Sequence, residues 1–356
     1  MKQTIPVFFA TNNNYAPCLS CALISMLENA SKEYFYKIHV LTSELTTENK
    51  NKLKKVLTQN SSIEFINLKD KLSNFQGLFH TRDYYSKETY YRLFIANLFP
   101  EYNKILYLDA DMIFLGDVSQ IYNLDLTNYL VAAVHEDVMN IPVYGEYVEK
   151  ALGIPRMDYF NAGMLVMNTE KFRQQRIEEK FISLLRRFTF RLTQDEDYLN
   201  VLCQGQVYKL HAGWNKSDAY APDYNPADLK IIHYKMNGKP WRYDGVENES
   251  YFWEYAKRSP FYDELKYEKA TYSDEQKAKD KIDAENMVKL AIHDANDPSN
   301  YWNTMSLGAE RYSLFRGMNK VFHFPKKAVK STKKITESLL EKAKRSVYDF
   351  KKKYSK

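Results

Sequence analysis

The first hundred residues alternate short apolar runs with segments of helical periodicity, and this alternation limits the folds open to the chain. Apolar runs of strand length and helix-like segments follow one another in the order 5–10, 17–27, 37–41, 47–57 and 62–66. A strand–helix–strand–helix–strand series of this kind places its strands side by side in a parallel sheet with helices on its faces. We therefore predict an α/β fold with a mixed, mostly parallel sheet flanked by helices.

Later segments extend the same pattern. A helix is predicted over 88–98, which stops before Pro100 because the residue preceding a proline disfavours the helical conformation. Further strands are predicted at 104–108, 130–134, 164–167 and 229–233. The composition becomes polar and mixed near residue 265, so we predict a nucleotide-binding domain over 1–265 and a mostly helical C-terminal extension over 266–356.

Composition excludes several classes of protein. Of the 356 residues, 44% are apolar and 27% charged, which is the balance of a globular chain. No stretch approaches the ~20 apolar residues that span a bilayer, and the first apolar run is too short for a signal peptide. Three cysteines fit a reducing compartment, so we expect a cytoplasmic protein. The 29 tyrosines and 20 phenylalanines suit sugars and nucleobases, although AT-rich codon usage would enrich the same residues.

The last 31 residues carry the basic character of the chain. Residues 326–356 hold twelve Lys or Arg against three acidic residues, a local charge of +9; since the whole chain carries +6, the remainder carries −3. Apolar residues recur there every three or four positions and form one stripe on a basic helix. Such a tail binds an anionic membrane peripherally at its inner face, or packs against the preceding domain. Because the remainder is slightly acidic, we expect no nucleic-acid binding.

Two carboxylates follow the predicted strand 104–108 directly. Asp109 and Asp111 flank Ala110, and a second apolar segment begins at Met112. Ligands of open α/β sheets bind at the carboxyl ends of the strands, and paired carboxylates there suit a hard cation such as Mg²⁺ or Mn²⁺. The alternative without a function is a turn whose two aspartates are solvated. A phosphatase motif of the DxDx[T/V] type is another, but Ile113 occupies its fifth position.

Three further groups could complete a site around this pair. His233 ends an apolar strand and could join a metal shell, although a lone histidine in such a place is more often a core residue. Gly238 and Lys239 could offer a backbone amide and a cation to phosphate oxygens. The small residues of 161–163 allow close approach of a ligand. The acids of 195–197 either favour a helix N-terminus or face the anomeric carbon of a sugar.

In their order along the chain, these segments resemble glycosyltransferase family 8, the retaining transferases with a GT-A fold that use nucleotide sugars. The resemblance spans residues 7–241. It rests on Phe9-Ala10-Thr11-Asn12-Asn13-Asn14-Tyr15-Ala16, Tyr91-Arg92-Leu93, Leu106-Tyr107-Leu108-Asp109-Ala110-Asp111, Tyr159-Phe160-Asn161-Ala162-Gly163, Asp195-Glu196-Asp197 and His233 with Lys239-Pro240-Trp241.

The resemblance implies a site for a UDP-hexose. It implies that Asp109, Asp111 and His233 bind Mn²⁺, or alternatively Mg²⁺, and that Glu196 and Asp195 act in catalysis. The donor-binding residues that we predict are Ala10, Thr11, Asn12, Tyr15, Arg92, Asp109, Ala110, Asp111, Asn161, Ala162, Asp195, Glu196, Gly238 and Lys239. The implied activity is transfer of galactose or glucose to a hydroxyl of a surface polysaccharide, glycolipid or glycoprotein glycan.

Three positions depart from the family pattern. Many relatives carry an aspartate in place of Asn12, a glutamine in place of Glu196 and a glycine in place of Met236. Glu196 restores a potential nucleophile, so retention could follow a double displacement as well as a front-face route through an oxocarbenium-like ion pair. A non-catalytic partner that binds a nucleotide sugar or glycan is the alternative function, although the complete Asp109, Asp111 and His233 set argues against it.

Overall fold

The computed structural model describes residues 2–82, 86–217 and 225–306. The predicted basic tail, residues 326–356, lies outside these ranges, as do residues 307–325 of the predicted extension. Within the described ranges, no helix is both long enough and apolar enough to cross a membrane.

A seven-stranded sheet forms the centre of the molecule. Its strands are β1 (Gln3–Ala10), β2 (Tyr34–Thr42), β3 (Ser61–Asn67), β4 (Ile105–Leu108), β6 (Val131–Ala133), β7 (Met164–Met167) and β8 (Val207–Lys209), while β5 (Met112–Phe114) and β9 (Ile231–His233) form a separate pair. The sheet order is β3-β2-β1-β4-β7-β6-β8. All neighbours are parallel except β7, which is antiparallel to both β4 and β6. The prediction of a mixed, mostly parallel α/β sheet is confirmed.

Helices cover both faces of this sheet. They are α1 (Ala16–Asn29), α2 (Thr47–Lys54), α3 (Ile95–Leu98), α4 (Ser119–Tyr122), α5 (Pro142–Tyr147), α6 (Thr169–Gln174), α7 (Ile177–Arg187), α8 (Asp195–Cys203), α9 (Glu249–Ala256), α10 (Tyr262–Thr271) and α11 (Asp274–Asn296). Strands with both faces covered bury the side chains of both faces, as β1 does from Ile5 to Phe9. This explains the unbroken apolar runs of β1 and β4, such as Ile105–Leu108, which is fully buried.

Two local predictions needed correction. The segment predicted as a helix over 88–98 is a 3-10 helix, Lys87–Phe94, followed by the single turn of α3. It is buried from Tyr90 onward against β1, α7 and α8, so packing from several sides overrides helical propensity. The predicted strand 229–233 is β9, but it pairs antiparallel with β5 in a separate two-stranded sheet and does not join the main one.

The helix α11 belongs to the predicted extension, yet it packs on the main core. Ser273 and Gln276 form a capping box at its start, and Met287 and Ala291 are buried against α5 and the turn that follows it. Asp280 accepts hydrogen bonds from the hydroxyls of Tyr243 and Tyr272, each at 2.7 Å. The extension is therefore attached to the preceding domain through Asp280, Met287 and Ala291 of α11.

Candidate active site

A cleft opens at the carboxyl edge of β1 and β4. Its lining includes Ala10, Thr11, Asn12, Tyr15, Arg92, Asp109, Ala110, Asp111, Asn161, Ala162, Asp195, Glu196, His233 and Lys239. Among the described residues, Gly238 is the one predicted site residue outside this lining. It lies half-buried in the turn after β9. The sequence segments singled out above therefore meet in one place.

Asp109 is fixed by both its backbone and its side chain. Its N–H donates to the carbonyl of Gly163 at 2.7 Å, at the point where β4 and β7 end their pairing. Its Oδ1 accepts from Arg92 at 3.0 Å and from the Tyr107 hydroxyl at 3.1 Å. Oδ2 faces the ring of His233, whose Nε2 lies 3.9 Å away. One oxygen of Asp109 is thus used for anchoring, and the other faces the centre of the cleft.

Strand pairing brings His233 to the two aspartates. In the β5–β9 pair, Met112 is opposite His233, so the histidine stands beside the residue that follows Asp111. His233 Nε2 lies 3.2 Å from Asp111 Oδ1, while His233 Nδ1 lies 2.9 Å from Oδ1 of Asn215. One ligand atom from each of Asp109, Asp111 and His233 falls within 4.8 Å of the others.

This geometry fits a divalent cation. Two carboxylate oxygens and an imidazole nitrogen suit Mn²⁺ or Mg²⁺ in hardness and charge. Space for the group depends on Gly163, where a Cβ would lie 2.4 Å from Cε1 of His233 and 2.7 Å from Oδ2 of Asp109. Any other residue at this position would push the two ligands apart.

Lys239 contacts the second carboxylate oxygen of Asp111, Oδ2, whereas His233 faces Oδ1. Its Nζ is hydrogen-bonded to Asp111 Oδ2 and to the carbonyl of Tyr234, and it is almost fully buried. Burial acts to raise the pKa of Asp111, but Lys239 and His233 outweigh it and hold that pKa below its usual value. Burial raises the pKa of Asp109 despite the opposing effect of Arg92. Asp111 is therefore the more firmly ionised member of the pair.

Arg92 connects Asp109, which follows β4, to Asp195, which begins α8. Its Nη2 donates to Asp109 and its Nε lies 3.0 Å from Oδ2 of Asp195, while the guanidinium stacks on Tyr107 at 4.3 Å. A further Arg92 N–H donates to the carbonyl of Ala162. The side chain is 3% exposed, so these ion pairs are protected from solvent screening.

The three acids at the start of α8 face different surroundings. Asp195 pairs with Arg92, and Glu196 Oε2 accepts from the backbone N–H of Ala162 at 2.8 Å. Asp197 instead accepts from the hydroxyls of Tyr147 and Tyr159, each at 2.8 Å, inside the core. Burial raises the pKa of Asp197 to about 6, against the lowering effect of its hydrogen bonds. Helix-dipole stabilisation alone does not explain this arrangement.

Sequence reasoning missed a second carboxylate near Glu196. Glu136 is buried, is ion-paired to Lys235 and accepts from Asn161 Nδ2 at 2.6 Å. The same amide nitrogen donates to Glu196 Oε2 at 3.1 Å. Glu136 lies three residues beyond the end of β6, so it lacks the position directly after a strand that identified Asp109. No sequence signal pointed to Asn215.

The two glutamates differ in their protonation. Burial acts to raise the pKa of Glu136, but Lys235 outweighs it and lowers that pKa. Burial, followed by the charge of Glu136, raises the pKa of Glu196 well above its usual value. Glu136 is therefore the ionised member of the pair, and Glu196 holds a proton more readily.

The predicted nucleotide side of the cleft begins where β1 ends. Asn12 Oδ1 accepts from the backbone N–H groups of Asn14 at 3.0 Å and Tyr15 at 3.3 Å, which turns the chain into α1. The ring of Tyr15 packs edge-on against Trp241, and Lys239 Nζ lies 5.7 Å from the ring centroid. An asparagine supports this turn as an aspartate would, so the departure at position 12 preserves the local backbone.

The departure at Met236 has a backbone consequence. Its φ is +54°, in the left-handed region where glycine is favoured, so the backbone keeps a glycine-like conformation with a methionine in place. Its neighbour Asn237 donates from Nδ2 to the carbonyl of Asp280 in α11 at 3.1 Å. The loop that carries Lys239 is thus held from the side of the extension.

A GT-A sheet with an Asp-Ala-Asp turn, a histidine beside it and a carboxylate-lined cleft defines a glycosyltransferase of the type that uses nucleotide sugars. The chain belongs to glycosyl transferase family 8, whose family model matches residues 6–245. The resemblance found in the sequence is confirmed.

Individual relatives support this assignment. General stress protein A of Bacillus subtilis is 30% identical over 269 residues, which covers 67% of this chain and 88% of the relative. The lipopolysaccharide 1,2-glucosyltransferase of Escherichia coli K12 is 31% identical over 172 residues, or 44% of this chain and 50% of the relative. The structure of the bifunctional glycosyltransferase WbbM matches with a TM-score of 0.66 at 26% identity, over 76% of this chain and 52% of that one. The chain spans about half the length of these last two proteins.

Proposed function

We propose that the protein is a metal-dependent, retaining hexosyltransferase that moves galactose or glucose from a UDP-sugar to a hydroxyl of a glycan acceptor. The observation that carries the proposal is the convergence of Asp109, Asp111 and His233 in a cleft that also holds Asp195 and Glu196. The acceptor is a surface polysaccharide, a glycolipid or a glycoprotein glycan. Family membership supports a nucleotide-sugar donor in general, and the cation site supports a diphosphate in particular.

The metal end of the cleft holds the nucleotide in this proposal. Asp109, Asp111 and His233 bind Mn²⁺ or Mg²⁺, which when bound neutralises the diphosphate and stabilises it as a leaving group. Lys239 provides a second positive charge beside Asp111 for the same phosphate oxygens. The uridine lies along the segment from Ala10 to Tyr15, with Tyr15 against the base.

The acid end faces the sugar. Arg92 holds Asp195 in place, while Asn161 and the N–H of Ala162 hold Glu196. We favour a front-face reaction in which the acceptor hydroxyl attacks from the side of the departing UDP, with Glu196 or Asp195 stabilising positive charge at the anomeric carbon. A double displacement with Glu196 as the nucleophile is the alternative. Either role requires the ionised carboxylate.

We further propose that the transferase domain spans 1–265 and that residues 266–356 are an extension that ends in a membrane-binding tail. The +9 charge of 326–356 favours contact with an anionic bilayer. The test compares the full chain with a chain lacking 326–356 in sedimentation with vesicles of anionic and of neutral lipid. Equal binding of the two chains to anionic vesicles would contradict the tail's role.

The function itself is tested by UDP release from a panel of UDP-sugars, with Mn²⁺ or with a chelator. We expect one UDP-hexose to be hydrolysed only with metal, and Asp111→Ala to lose this activity. Nucleotide binding without release across the panel would contradict the proposal and identify a non-catalytic partner.

A further inference from the structure

Asn161 and Asn215 connect the two ends of the cleft by a continuous chain of hydrogen bonds. Asn161 donates through Nδ2 to Glu136 at 2.6 Å and to Glu196 at 3.1 Å. Its Oδ1 accepts from Asn215 Nδ2 at 2.8 Å, and Asn215 Oδ1 lies 2.9 Å from Nδ1 of His233. Both asparagines are buried, so water does not compete for these contacts.

The chemistry of this chain of contacts allows only one direction. Ionised Glu136 can only accept hydrogen bonds, so the amide nitrogen of Asn161 must face it. Oδ1 of Asn161 must then accept, which requires the amide nitrogen of Asn215 on that side. Oδ1 of Asn215 is consequently an acceptor, and the nitrogen of His233 that faces it must carry a proton.

The backbone reinforces this direction. Oδ1 of Asn161 also accepts from the N–H of Gly163 at 2.9 Å, and Glu136 accepts from Lys235 and from the N–H of Val138. Rotating the Asn161 amide would face its oxygen with the ionised carboxylate of Glu136 and its nitrogen with two donors, the N–H of Gly163 and the amide of Asn215. Each such buried mismatch costs about 1–3 kcal/mol.

We propose that Glu136 sets the tautomer of His233 through Asn161 and Asn215, so that Nδ1 holds the proton and Nε2 presents its lone pair to the metal beside Asp109 and Asp111. Asn215 is the positioning residue of this relay. The inference rests on the proposed use of a metal by this site. The acid end of the cleft then has a second role, because Glu136 fixes which nitrogen of the metal ligand His233 carries the proton.

Mn²⁺ affinity, measured by calorimetry on the full chain without donor, tests the proposal. Asn215→Leu keeps the approximate volume but removes the acceptor, so we expect the dissociation constant to rise about 10- to 100-fold, the usual effect of losing a partner that orients a metal ligand. Asn215→Asp keeps an acceptor for Nδ1–H, and we expect its dissociation constant to stay within about threefold of the parent value, well below that of Asn215→Leu. Equal affinity of the folded Leu variant and the parent chain would overturn the inference.

A spectroscopic measurement covers the case in which these variants do not fold. With Mg²⁺ bound, so that Nε2 does not face the Asp111 carboxylate alone, ¹⁵N chemical shifts of His233, assigned with His233→Gln, should show the proton on Nδ1. A proton on Nε2 would overturn the inference. Failure of the parent chain to bind Mn²⁺ at all would instead contradict the proposed function.

Discussion

The cleft has a metal end, around Asp109 and Asp111, and an acid end, around Glu136 and Glu196. The two ends differ in how their carboxylates are paired with cations. At the metal end, Asp109 and Asp111 each have a buried cation beside them, Arg92 and Lys239 respectively. At the acid end, Lys235 pairs with Glu136, while Glu196 accepts from amide N–H groups of Asn161 and Ala162, at 3.1 and 2.8 Å. The carboxylates of the metal end are thus ion-paired before any ligand arrives. Glu196 forms no ion pair with any described residue, although the charge of Lys235 acts to lower its pKa.

This difference indicates what each end is built to bind. A carboxylate ionised in advance suits a cation that must be held throughout the reaction. A carboxylate whose charge is costly when the cleft is empty gains most when positive charge develops beside it, as at an anomeric carbon. The predictions below test this division, from the largest expected effect to the smallest.

Loss of Asp111 should have the largest effect on activity. Asp111→Ala removes a metal ligand and leaves Lys239 without its carboxylate, and we expect turnover of the UDP-hexose to fall about 10³-fold, equivalent to about 4 kcal/mol. Turnover is measured as UDP release at saturating donor. Asp125→Ala removes an exposed aspartate far from the cleft and should retain the parent rate. Comparable losses in both variants would remove the special role of Asp111.

Glu196→Gln should reduce turnover less. The amide keeps an acceptor for the N–H of Ala162 but removes the charge, and we expect a loss of about 10²-fold in kcat with little change in the donor KM. Glu254→Gln, an exposed position on α9, is the matched control. An unchanged kcat in Glu196→Gln would exclude both the nucleophilic and the charge-stabilising roles.

The same variant should be more stable than the parent chain at high pH. The pKa of Glu196 is raised in the folded state, so the unfolded chain ionises first, near pH 4.3, and folding stability is lost as the pH rises above that value. Glutamine does not titrate. At pH 8, without metal, we expect the free energy of unfolding of Glu196→Gln to be higher than that of the parent chain.

Thermal unfolding measured from pH 4 to pH 8 checks this sign. The advantage of Glu196→Gln should shrink as the pH falls towards 4, because Glu196 is then protonated in both the folded and unfolded states. An advantage that grows towards acid pH would show that the folded state favours the ionised carboxylate, which would reverse the contrast between the two ends.

The smallest effect concerns the loop that carries Lys239. Met236 has a positive φ, which costs a residue with a Cβ about 1 kcal/mol or more and costs glycine little. The free energy of unfolding of Met236→Gly should therefore be about 1 kcal/mol higher than that of Met236→Ala. Both variants lose the methionine side chain, but only the glycine adopts the positive φ without strain. Equal stabilities in denaturant titration would show that the loop does not hold this conformation in solution.

The sequence predicted the metal end better than the acid end, for a physical reason. Asp109 and Asp111 follow a fully apolar strand, and the end of such a strand is recognisable locally. The partner of β9 was not recognisable, because the pairing that puts His233 opposite Met112 joins strands more than a hundred residues apart. Glu136 and Asn215 were missed because their roles depend on contacts with distant residues, such as the 2.8 Å bond from Asn215 to Asn161.

The fold shows the same division between local and distant causes. The alternation of apolar runs with helical periodicity predicted β1 to β4 and the helices between the first three strands. These elements could be recognised because the residues that they bury form a pattern within each segment. The 3-10 conformation of Lys87–Phe94 arises from packing against α7 and α8, which no local pattern encodes. The placement of α11 likewise depends on distant residues, because its own Met287 packs into the core and its own Asp280 accepts from Tyr243.

UDP affinity in the presence of Mn²⁺, compared between Asp111→Ala and Glu196→Gln, tests the division between the two ends most directly. If the metal end holds the nucleotide and the acid end acts on the sugar, Asp111→Ala loses metal-dependent UDP binding, whereas Glu196→Gln binds UDP as the parent chain does. Equal loss of UDP binding in both variants, or equal retention in both, would contradict it.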